Sequence, residues 1–422
     1  MQVPGIVEPL PLAQRALDCV PGSCLQGKRV GMVVFSSYPA DPRPRRAVEA
    51  LLQEGMSVDL ICEAEGELPR REVIDKLEVI RIPIRHHRGG FLSYAYQYSA
   101  FTFIAGLILA WRSVGRRYDL VYVHNMPDAL VASALLPKLF GAKVILDQHD
   151  PMPELMRTIF RVGEKSLAIS LIRLMERWSI ACADRVITVN MACKRLFAGR
   201  GCPPEKIGIV MNSPDGEIFP YRGATSYPTR NDEKPFVIMY HGSLVERNGL
   251  GLAVDALAQV KGMIPTAELR VYGRITPYLE EVMDAVRRLG LEDSVRYLGP
   301  KRLEDLAHEI EACDVGVIPN LQNPFTDINT PTRIFEYLAL GKPVIAPRTP
   351  GIQDYFGPSS LFFFESGNAE DLAITMHEVH AHPDHAMATA EQGQRVYLKH
   401  TWFEERRTLV DLVGGVFASE VA

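Results

Sequence analysis

The sequence lacks several patterns that would assign it to common functional classes. Its seven cysteines form no Cys-x-x-Cys pair and no ligand set with histidine, so we expect reduced thiols, a cytoplasmic protein and no zinc site. No Gly-x-Gly-x-x-Gly follows the first apolar strand, which argues against a dinucleotide dehydrogenase. The N-terminus has no basic segment followed by an apolar run, so we expect no signal peptide.

Charged residues are absent from Phe91–Trp111, a run of 21 positions with basic clusters on both sides, one of them at Arg85–Arg88. The run is long enough to cross a bilayer as a helix, but hydroxyl and amide side chains crowd its first part. Three interpretations are open. We favour a packed surface helix over a helix in the membrane interface, and place a membrane span last.

The chain has 422 residues, which is enough for two domains of roughly 200 residues each. The net charge of −5 is unevenly shared between the halves. Residues 1–215 contain 27 Lys and Arg against 22 Asp and Glu, whereas residues 216–422 contain 19 against 29. Unless this asymmetry is scatter, the first half faces an anionic partner, such as lipid head groups or a phosphorylated acceptor.

Short apolar runs alternate with helical patterns in both halves, which predicts an α/β protein. Lys28–Phe35 and Val58–Cys62 are strands on either side of a helix, and the same pattern restarts at Phe236–Tyr240. Between the halves, Asn212–Lys234 is rich in Pro, Gly, Asp and Thr, and we place the linker there. We therefore predict two doubly wound, Rossmann-like domains, at residues 1–215 and 216–400.

The pattern of Asn329–Pro347 predicts a helix followed by a short buried strand. Thr330 is the predicted N-cap, and Gly341 supplies the left-handed stop. The open N-terminus of this helix suits a phosphate, and Arg333 in its first turn adds a full charge. Glu336, one turn further along the helix, could accept hydrogen bonds from both hydroxyls of a ribose. The alternative is a capped helix with an exposed Arg333–Glu336 pair.

The loop after the strand Phe236–Tyr240 is a second candidate for binding phosphate. Gly242, followed by Ser243, lets the backbone approach a ligand closely, and the guanidinium of Arg247 can donate two parallel hydrogen bonds to a phosphate. The alternative role for Arg247 is a surface ion pair with Glu246 or Asp255.

In the first half, Asp147–Glu154 is the best candidate for a catalytic loop. His149 lies between two aspartates at the end of a strand, so we expect a carboxylate to fix its tautomer and raise its pKa. Such a group could take a proton from an attacking hydroxyl or hydrogen-bond a sugar hydroxyl. The alternative is a helix-capping aspartate beside a surface histidine.

From Lys28 to about Phe417, the chain resembles retaining glycosyltransferases of the GT-B fold, in particular glycosyltransferase family 4. In that family a Pro-x-Lys-x-x-Glu helix holds the diphosphate and ribose of a nucleotide sugar, and Arg333 stands here where Lys is usual. Ile328 stands where the family often has a Glu on the donor sugar, and Asn248 where it commonly has Lys. The resemblance also implies domains that face each other across a cleft, with residues 401–422 packing back on the first.

The implied reaction is transfer of a sugar from a nucleotide-diphosphate sugar to a hydroxyl acceptor, in cell-surface polysaccharide or glycolipid synthesis. No Asp-x-Asp stands where a metal–diphosphate site would need it, so we expect metal independence; no cofactor and no nucleic acid are expected either. A lipid-linked acceptor and contact of the N-terminal domain with the inner face of the membrane are further options. The departures at Ile328 and Asn248 leave open the alternative of a GT-B-fold binding protein that has lost transfer activity. A sugar-nucleotide 2-epimerase of the same fold is a further alternative; it would need a pair of carboxylates placed to abstract a proton, and the sequence shows no convincing pair.

The predicted site residues fall into three groups. They are the catalytic residue His149; the donor-binding residues Gly242, Ser243, Arg247, Arg274, Thr330, Thr332, Arg333 and Glu336; and, on the acceptor side, Asp41, Arg43 and His124.

Overall fold

The structure is a computed structural model that describes residues 25–84, 91–224 and 234–418. The N-terminal segment, the basic cluster at Arg85–Arg88 and part of the predicted linker at Asn212–Lys234 lie outside the described residues.

The first half forms an eight-stranded sheet in the order β3-β4-β2-β1-β5-β6-β7-β8, parallel except for β3, which pairs antiparallel with β4. The strands are β1 (Arg29–Ser37), β2 (Ser57–Glu63), β3 (Arg71–Ile74), β4 (Leu77–Ile82), β5 (Leu120–His124), β6 (Lys143–Asp147), β7 (Arg185–Thr188) and β8 (Ile207–Ile209). The α-helices are α1 (Pro42–Gln53), α2 (Phe91–Gly115), α3 (Leu135–Leu139), α4 (Met152–Phe160), α5 (Leu167–Cys182) and α6 (Met191–Gly199).

The second half forms a six-stranded parallel sheet in the order β11-β10-β9-β12-β13-β14. The strands are β9 (Phe236–His241), β10 (Ala267–Tyr272), β11 (Val295–Tyr297), β12 (Val315–Val317), β13 (Val344–Pro347) and β14 (Phe362–Phe364). The helices are α7 (Leu250–Val260), α8 (Pro277–Arg288), α9 (Leu303–Glu311), α10 (Thr332–Ala339), α11 (Pro350–Gln353), α12 (Ala369–Ala381), α13 (Pro383–Tyr397) and α14 (Trp402–Ala418).

The central strands are buried on both faces because helices cover each side of the sheets. Every residue of β5 and of β9 is buried, as expected for parallel strands with continuous apolar sequences. The loops that follow β5, β6, β9 and β12 lie at the carboxyl ends of the strands, where open α/β sheets bind ligands. The predicted α/β fold with two Rossmann-like domains is confirmed.

The last helix returns to the first domain. Leu409 and Val413 of α14 are buried in the core that contains β1, β2 and β5. Glu405 accepts a hydrogen bond from the backbone N–H of Met211 at 2.7 Å, and Arg406 pairs with Glu54 at 2.6 Å. These contacts agree with the expected crossing of the C-terminal helix, and the boundaries 1–215, 216–400 and 401–422 are our proposal for the domains.

Helix α2 covers the first sheet with one face only. Phe101, Ala105 and Leu109 are fully buried in the core, as the favoured surface-helix interpretation requires. The opposite face exposes Phe103 and Trp111, along with further apolar side chains. By length and composition alone, Ala95–Gly115 could also cross a membrane.

Candidate active site

Asp147, at the end of β6, is the centre of a buried polar cluster in the first domain. Arg43 of α1 donates to both carboxylate oxygens, with Nη2 2.7 Å from Oδ1 and Nε 3.0 Å from Oδ2, and Tyr122 donates to Oδ2 at 3.0 Å. Burial alone would raise the pKa of Asp147, but the charge of Arg43 and the contact with His124 hold that pKa well below its usual range. Asp147 is therefore a fixed negative charge beneath the catalytic loop.

Two histidines flank this carboxylate. Nδ1 of His124 lies 3.3 Å from Asp147 Oδ2 and the His124 side chain is fully buried, whereas Nδ1 of His149 is 3.9 Å from Oδ1 and its side chain is 19% exposed. Burial lowers the pKa of His149, although Asp150 and Asp147 act in the opposite direction. The expected rise in that pKa was therefore wrong, because burial disfavours the imidazolium more than the two carboxylates favour it. His149 is neutral at pH 7.

His124, Asp147 and His149 each offer a possible metal-ligand atom, and these atoms lie within 4.8 Å of one another. However, the guanidinium of Arg43 already forms an ion pair with the carboxylate of Asp147 and brings a positive charge into the cluster. A divalent cation would have to displace that ion pair and approach a like charge. The cluster is better suited to a neutral hydroxyl than to a metal ion.

Asn125 holds the catalytic loop in place, and sequence reasoning did not single it out. Its Oδ1 accepts from the backbone N–H of His149 at 3.1 Å, and its Nδ2 donates to the carbonyl of Asp150 at 2.6 Å. The same Nδ2 also donates to Oδ1 of Asp128, three residues further along the chain, at 3.0 Å. One amide side chain thus ties the loop after β5 to the loop after β6 and sets the position of His149.

The other residues predicted for the acceptor side have structural contacts. The side chain of Asp41 caps α1 by accepting from the N–H of Arg43 at 3.1 Å. Besides holding Asp147, Arg43 donates to the carbonyl of Val210 and to Asn212. Together with the burial of His124, these contacts indicate that the three residues support the catalytic loop, and their contact with an acceptor stays a prediction.

In the second domain, Arg333 is held at the end of β9. It donates to the carbonyl of His241 at 2.7 Å and to Asn320 at 3.1 Å, and its guanidinium lies 5.1 Å from the centre of the Tyr240 ring. Gly242 has a φ of +120°, and a Cβ there would come within 3.3 Å of the Arg333 side chain. Both the backbone conformation and this close approach favour glycine.

Glu336 faces the same strand end from the next turn of α10. Its Oε2 is 3.3 Å from His241 Nε2, and the side chain is only 15% exposed. Burial raises the pKa of Glu336 to about 7, while burial and the charge of Arg333 lower the pKa of His241 to about 3. Glu336 therefore titrates near neutrality beside an uncharged histidine. The alternative of an exposed Arg333–Glu336 pair is wrong.

Helix α10 begins one residue later than predicted. Pro331 is its N-cap, and no side chain caps the helix, so Thr330 is not the N-cap. The Thr330 hydroxyl donates instead to the carbonyl of Gly351 at 2.7 Å. The N-terminus of α10 is consequently open, with Thr332, half-buried, as its first residue.

Arg247 lies against the loop Asn320–Phe325, which also binds Arg333. The backbone carbonyl of Arg247 accepts from Leu321 at 3.0 Å, and its guanidinium is 6.0 Å from the centre of the Phe325 ring. Glu246, the partner suggested for Arg247, pairs with Arg161 of the first domain at 2.7 Å instead. Both arginines thus contact one loop, Arg333 through Asn320.

The remaining predicted donor residues lie near the same strand ends. The carbonyl of Ser243 accepts from Asn248 Nδ2 at 2.8 Å, which gives Asn248 a structural role in its turn. Arg274 is exposed in the loop after β10, next to Gly273, and a Cβ at Gly273 would clash with the carbonyl of Gly242 at 2.3 Å.

The two domains meet directly across these loops. Asn190, at the N-cap of α6, donates to the carbonyl of Ile328 at 2.8 Å and to Thr330 at 3.1 Å. Thr158 of α4 donates to Asn323 at 3.1 Å. The start of α6 and helix α4 of the first domain therefore contact the segment that leads into α10.

Ile328 and its neighbours show how the donor side departs from the usual pattern. Ile328 packs its side chain against the core of the first domain, so an apolar residue is favoured there. Asn323 and Thr326 use their side chains for hydrogen bonds within the loop. The Asp327 carboxylate interacts with Gln322 of the same loop, but among the described residues its buried Oδ1 has no hydrogen-bond partner, and burial raises the pKa of Asp327.

Sequence models of two families match the chain, one in each half. Residues 40–213 match a glycosyl transferase 4-like domain, and residues 235–382 match the glycosyl transferases group 1. The chain belongs to the GT-B glycosyltransferases.

Relatives of this glycosyltransferase agree with the assignment. A D-inositol 3-phosphate glycosyltransferase of Corynebacterium urealyticum is 25% identical over 87% of this chain and 88% of its own length. A putative colanic acid biosynthesis glycosyltransferase, WcaL of Salmonella typhimurium, is 27% identical over 43% of this chain and 45% of its own.

Solved structures share the fold at low sequence identity. Sucrose-phosphate synthase of Thermosynechococcus elongatus has a TM-score of 0.72 at 17% identity, covering 93% of this chain and all of that one. Anabaena HepE in complex with UDP-glucose has a TM-score of 0.65 at 16% identity, covering 92% of this chain and 99% of that one.

Proposed function

We propose that this glycosyltransferase is a retaining enzyme that moves a sugar from a nucleotide-diphosphate sugar to a hydroxyl acceptor. The observation that carries the proposal is that Arg333, in the first turn of the uncapped helix α10, and Arg247 both contact the loop Asn320–Phe325, with Glu336 one turn further along α10. Helix N–H groups and two guanidinium groups would bind the diphosphate and stabilise it as it leaves. Glu336 would accept hydrogen bonds from the ribose.

The first domain would supply His149 and the acceptor surface. Because His149 is neutral, it is suited to a hydrogen bond with a hydroxyl of the donor sugar rather than to strong base catalysis. Departure of the diphosphate is the step that most needs stabilisation, so the chemistry does not depend on a strong base. Arg43 on Asp147 supports metal independence, because the carboxylate closest to both histidines already has a cationic partner.

We further propose a role in cell-surface polysaccharide or glycolipid synthesis with a lipid-linked acceptor, at the inner face of the membrane. The names of two relatives support this role, since one belongs to colanic acid and one to amylovoran biosynthesis. The exposed apolar face of α2 supports contact with a membrane.

A thermal-shift panel of UDP, GDP, ADP and their sugars tests the donor assignment. A ligand present at 100 times its Kd should stabilise the folded protein by roughly 2.7 kcal/mol. The best donor should then be incubated with and without acceptor in excess EDTA, and the anomeric configuration of the product determined by NMR. Transfer with retention in EDTA is expected. Binding without hydrolysis or transfer would indicate a binding protein, and an epimer formed from donor alone would indicate a 2-epimerase.

A further inference from the structure

An apolar groove of about 740 Å³ opens between α2, α4 and α5 on the first domain. Its volume lies within the range of small-molecule sites, roughly 300–1,000 Å³. Its walls consist mainly of large apolar side chains, among them Phe103, Leu107, Met156, Phe160, Leu171 and Trp178.

Two of the hydroxyl groups in the wall are already hydrogen-bonded to backbone carbonyls. Thr102 donates to the carbonyl of Tyr98 within α2, and Ser133 donates to the carbonyl of Leu130, both at 2.7 Å. A ligand here would gain mainly from apolar contact. A sugar or a nucleotide, with its many hydroxyl and phosphate oxygens, would lose more hydration than the groove can replace.

One end of the groove reaches the catalytic loops. Pro127 and Asp128, which line it, directly follow the loop after β5, and Met152 begins α4 only three residues after His149. The N–H of Asp128 lies 3.3 Å from the Met152 sulfur, so the two loops close this end together. A molecule in the groove would point one end toward the acceptor side of the cleft.

Much of the groove wall is itself exposed, including Phe103, Leu107 and Trp178, so the groove is open to its surroundings. More than half of the large apolar side chains exposed by the described residues lie between positions 96 and 178. Exposed basic residues lie on or next to the same helices, with Arg116 and Arg117 after α2, Lys165 before α5 and Arg177 within α5; Glu164 is an exposed acidic residue beside Lys165. An apolar surface with basic residues on the same helices fits an anionic membrane.

We propose that this groove holds the hydrocarbon chain of a lipid-linked acceptor, whose head group then lies beside His149. The inference rests on the proposed transferase function and names the substrate class that the first domain accepts. A second copy of this chain is a poorer occupant, because its own basic residues would meet those of the first copy.

The test uses n-butyl, n-octyl and n-dodecyl phosphate below their micellar concentrations, titrated calorimetrically into the full-length protein. Binding should tighten about two- to fourfold for each methylene that enters the groove, because burial of one CH₂ contributes about 0.8 kcal/mol. Leu171→Gln should weaken dodecyl phosphate binding at least tenfold and flatten the chain-length dependence. Leu289→Gln, at an exposed leucine of the second domain, is the matched control and should change neither.

Each outcome decides one point. Equal binding of all chain lengths, or equal behaviour of Leu171→Gln and Leu289→Gln, would overturn the groove assignment. So would a dimer in sedimentation that Leu171→Gln dissociates, because the groove would then be a protein interface. If sugar transfer to a soluble acceptor proceeds while alkyl phosphates fail to bind, only the groove is wrong. If alkyl phosphates bind but no nucleotide sugar does, the transferase proposal is wrong.

Discussion

The two halves of this glycosyltransferase differ in how they arrange polar and apolar side chains. The second domain gathers its candidate donor site from short segments around the ends of β9 and β12, and hydrogen bonds to the backbone and to Asn320 hold Arg333 in place. The first domain buries the ion pair Arg43–Asp147 in a polar cluster and, apart from it, exposes a large amount of apolar surface on α2 and α5. Under the proposed function, fixed polar groups of the second domain would bind the charged donor, and the apolar area of the first domain would bind the acceptor.

The largest effect is expected at Arg333. Arg333→Ala should lower kcat/KM for the donor about 100- to 1,000-fold, because one preorganised partner of the departing charge is lost. Arg333→Lys should recover about tenfold of that loss. Arg348→Ala, at an exposed arginine paired with Glu365, is the control and should remain within about twofold. Equal kcat/KM values for Arg333→Ala and Arg348→Ala would contradict the proposed difference between the domains.

His149 tests the contribution of the first domain to the chemistry. His149→Ala should lower kcat about 100-fold with little change in KM for the donor, as expected for a group that acts mainly in the transition state. His308→Ala, at an exposed histidine of α9, should leave both constants unchanged. An unchanged kcat in His149→Ala would mean that the second domain alone performs the chemistry.

Asp327 tests whether the donor sugar has a partner in place of the usual Glu. Asp327→Ala should weaken binding of the nucleotide sugar about tenfold, the effect of one hydrogen bond to a charged group. Binding of the nucleoside diphosphate, which lacks the sugar, should not change in the same variant. Calorimetric titration of both ligands measures the difference, and a parallel loss for both would show that Asp327 only supports the loop.

The smallest effect is a pH dependence from Glu336, whose pKa burial raises to about 7. Ribose hydroxyls need the ionised carboxylate as acceptor, so the affinity for a nucleotide sugar should rise severalfold between pH 6 and pH 8. Glu336→Gln should remove this dependence. In the free protein the raised pKa has the opposite consequence, since protonated Glu336 stabilises the fold at low pH and this stability is lost as pH rises to about 7. A pH-independent affinity would contradict the ribose assignment.

Local patterns predicted most elements and the donor motif, because each is set by neighbouring residues. The predicted strands Val58–Cys62 and Phe236–Tyr240 lie within β2 and β9, and Gly341 has the left-handed φ of +73° that the helix stop required. The Thr330 cap was wrong because a tertiary hydrogen bond to Gly351 competes with capping.

The supporting amides could not be predicted in the same way. Asn125, Asn190 and Asn320 reach partners that lie 13 to 140 positions away in the chain. An asparagine in a loop carries no signal of which distant backbone it will hold. The neutral state of His149 was missed for a related reason, since burial depends on the packed fold and not on neighbouring aspartates.

The most direct test of the central claim is a double-mutant cycle on Arg247 and Arg333. Calorimetric titration would compare a nucleoside with its nucleoside diphosphate in the wild type, in Arg247→Ala, in Arg333→Ala and in the double variant. If both guanidinium groups and α10 bind one diphosphate, each single variant loses much of the affinity that the phosphates add, the losses are not additive, and nucleoside binding is unchanged. Phosphates that add the same affinity in all four proteins would contradict the account.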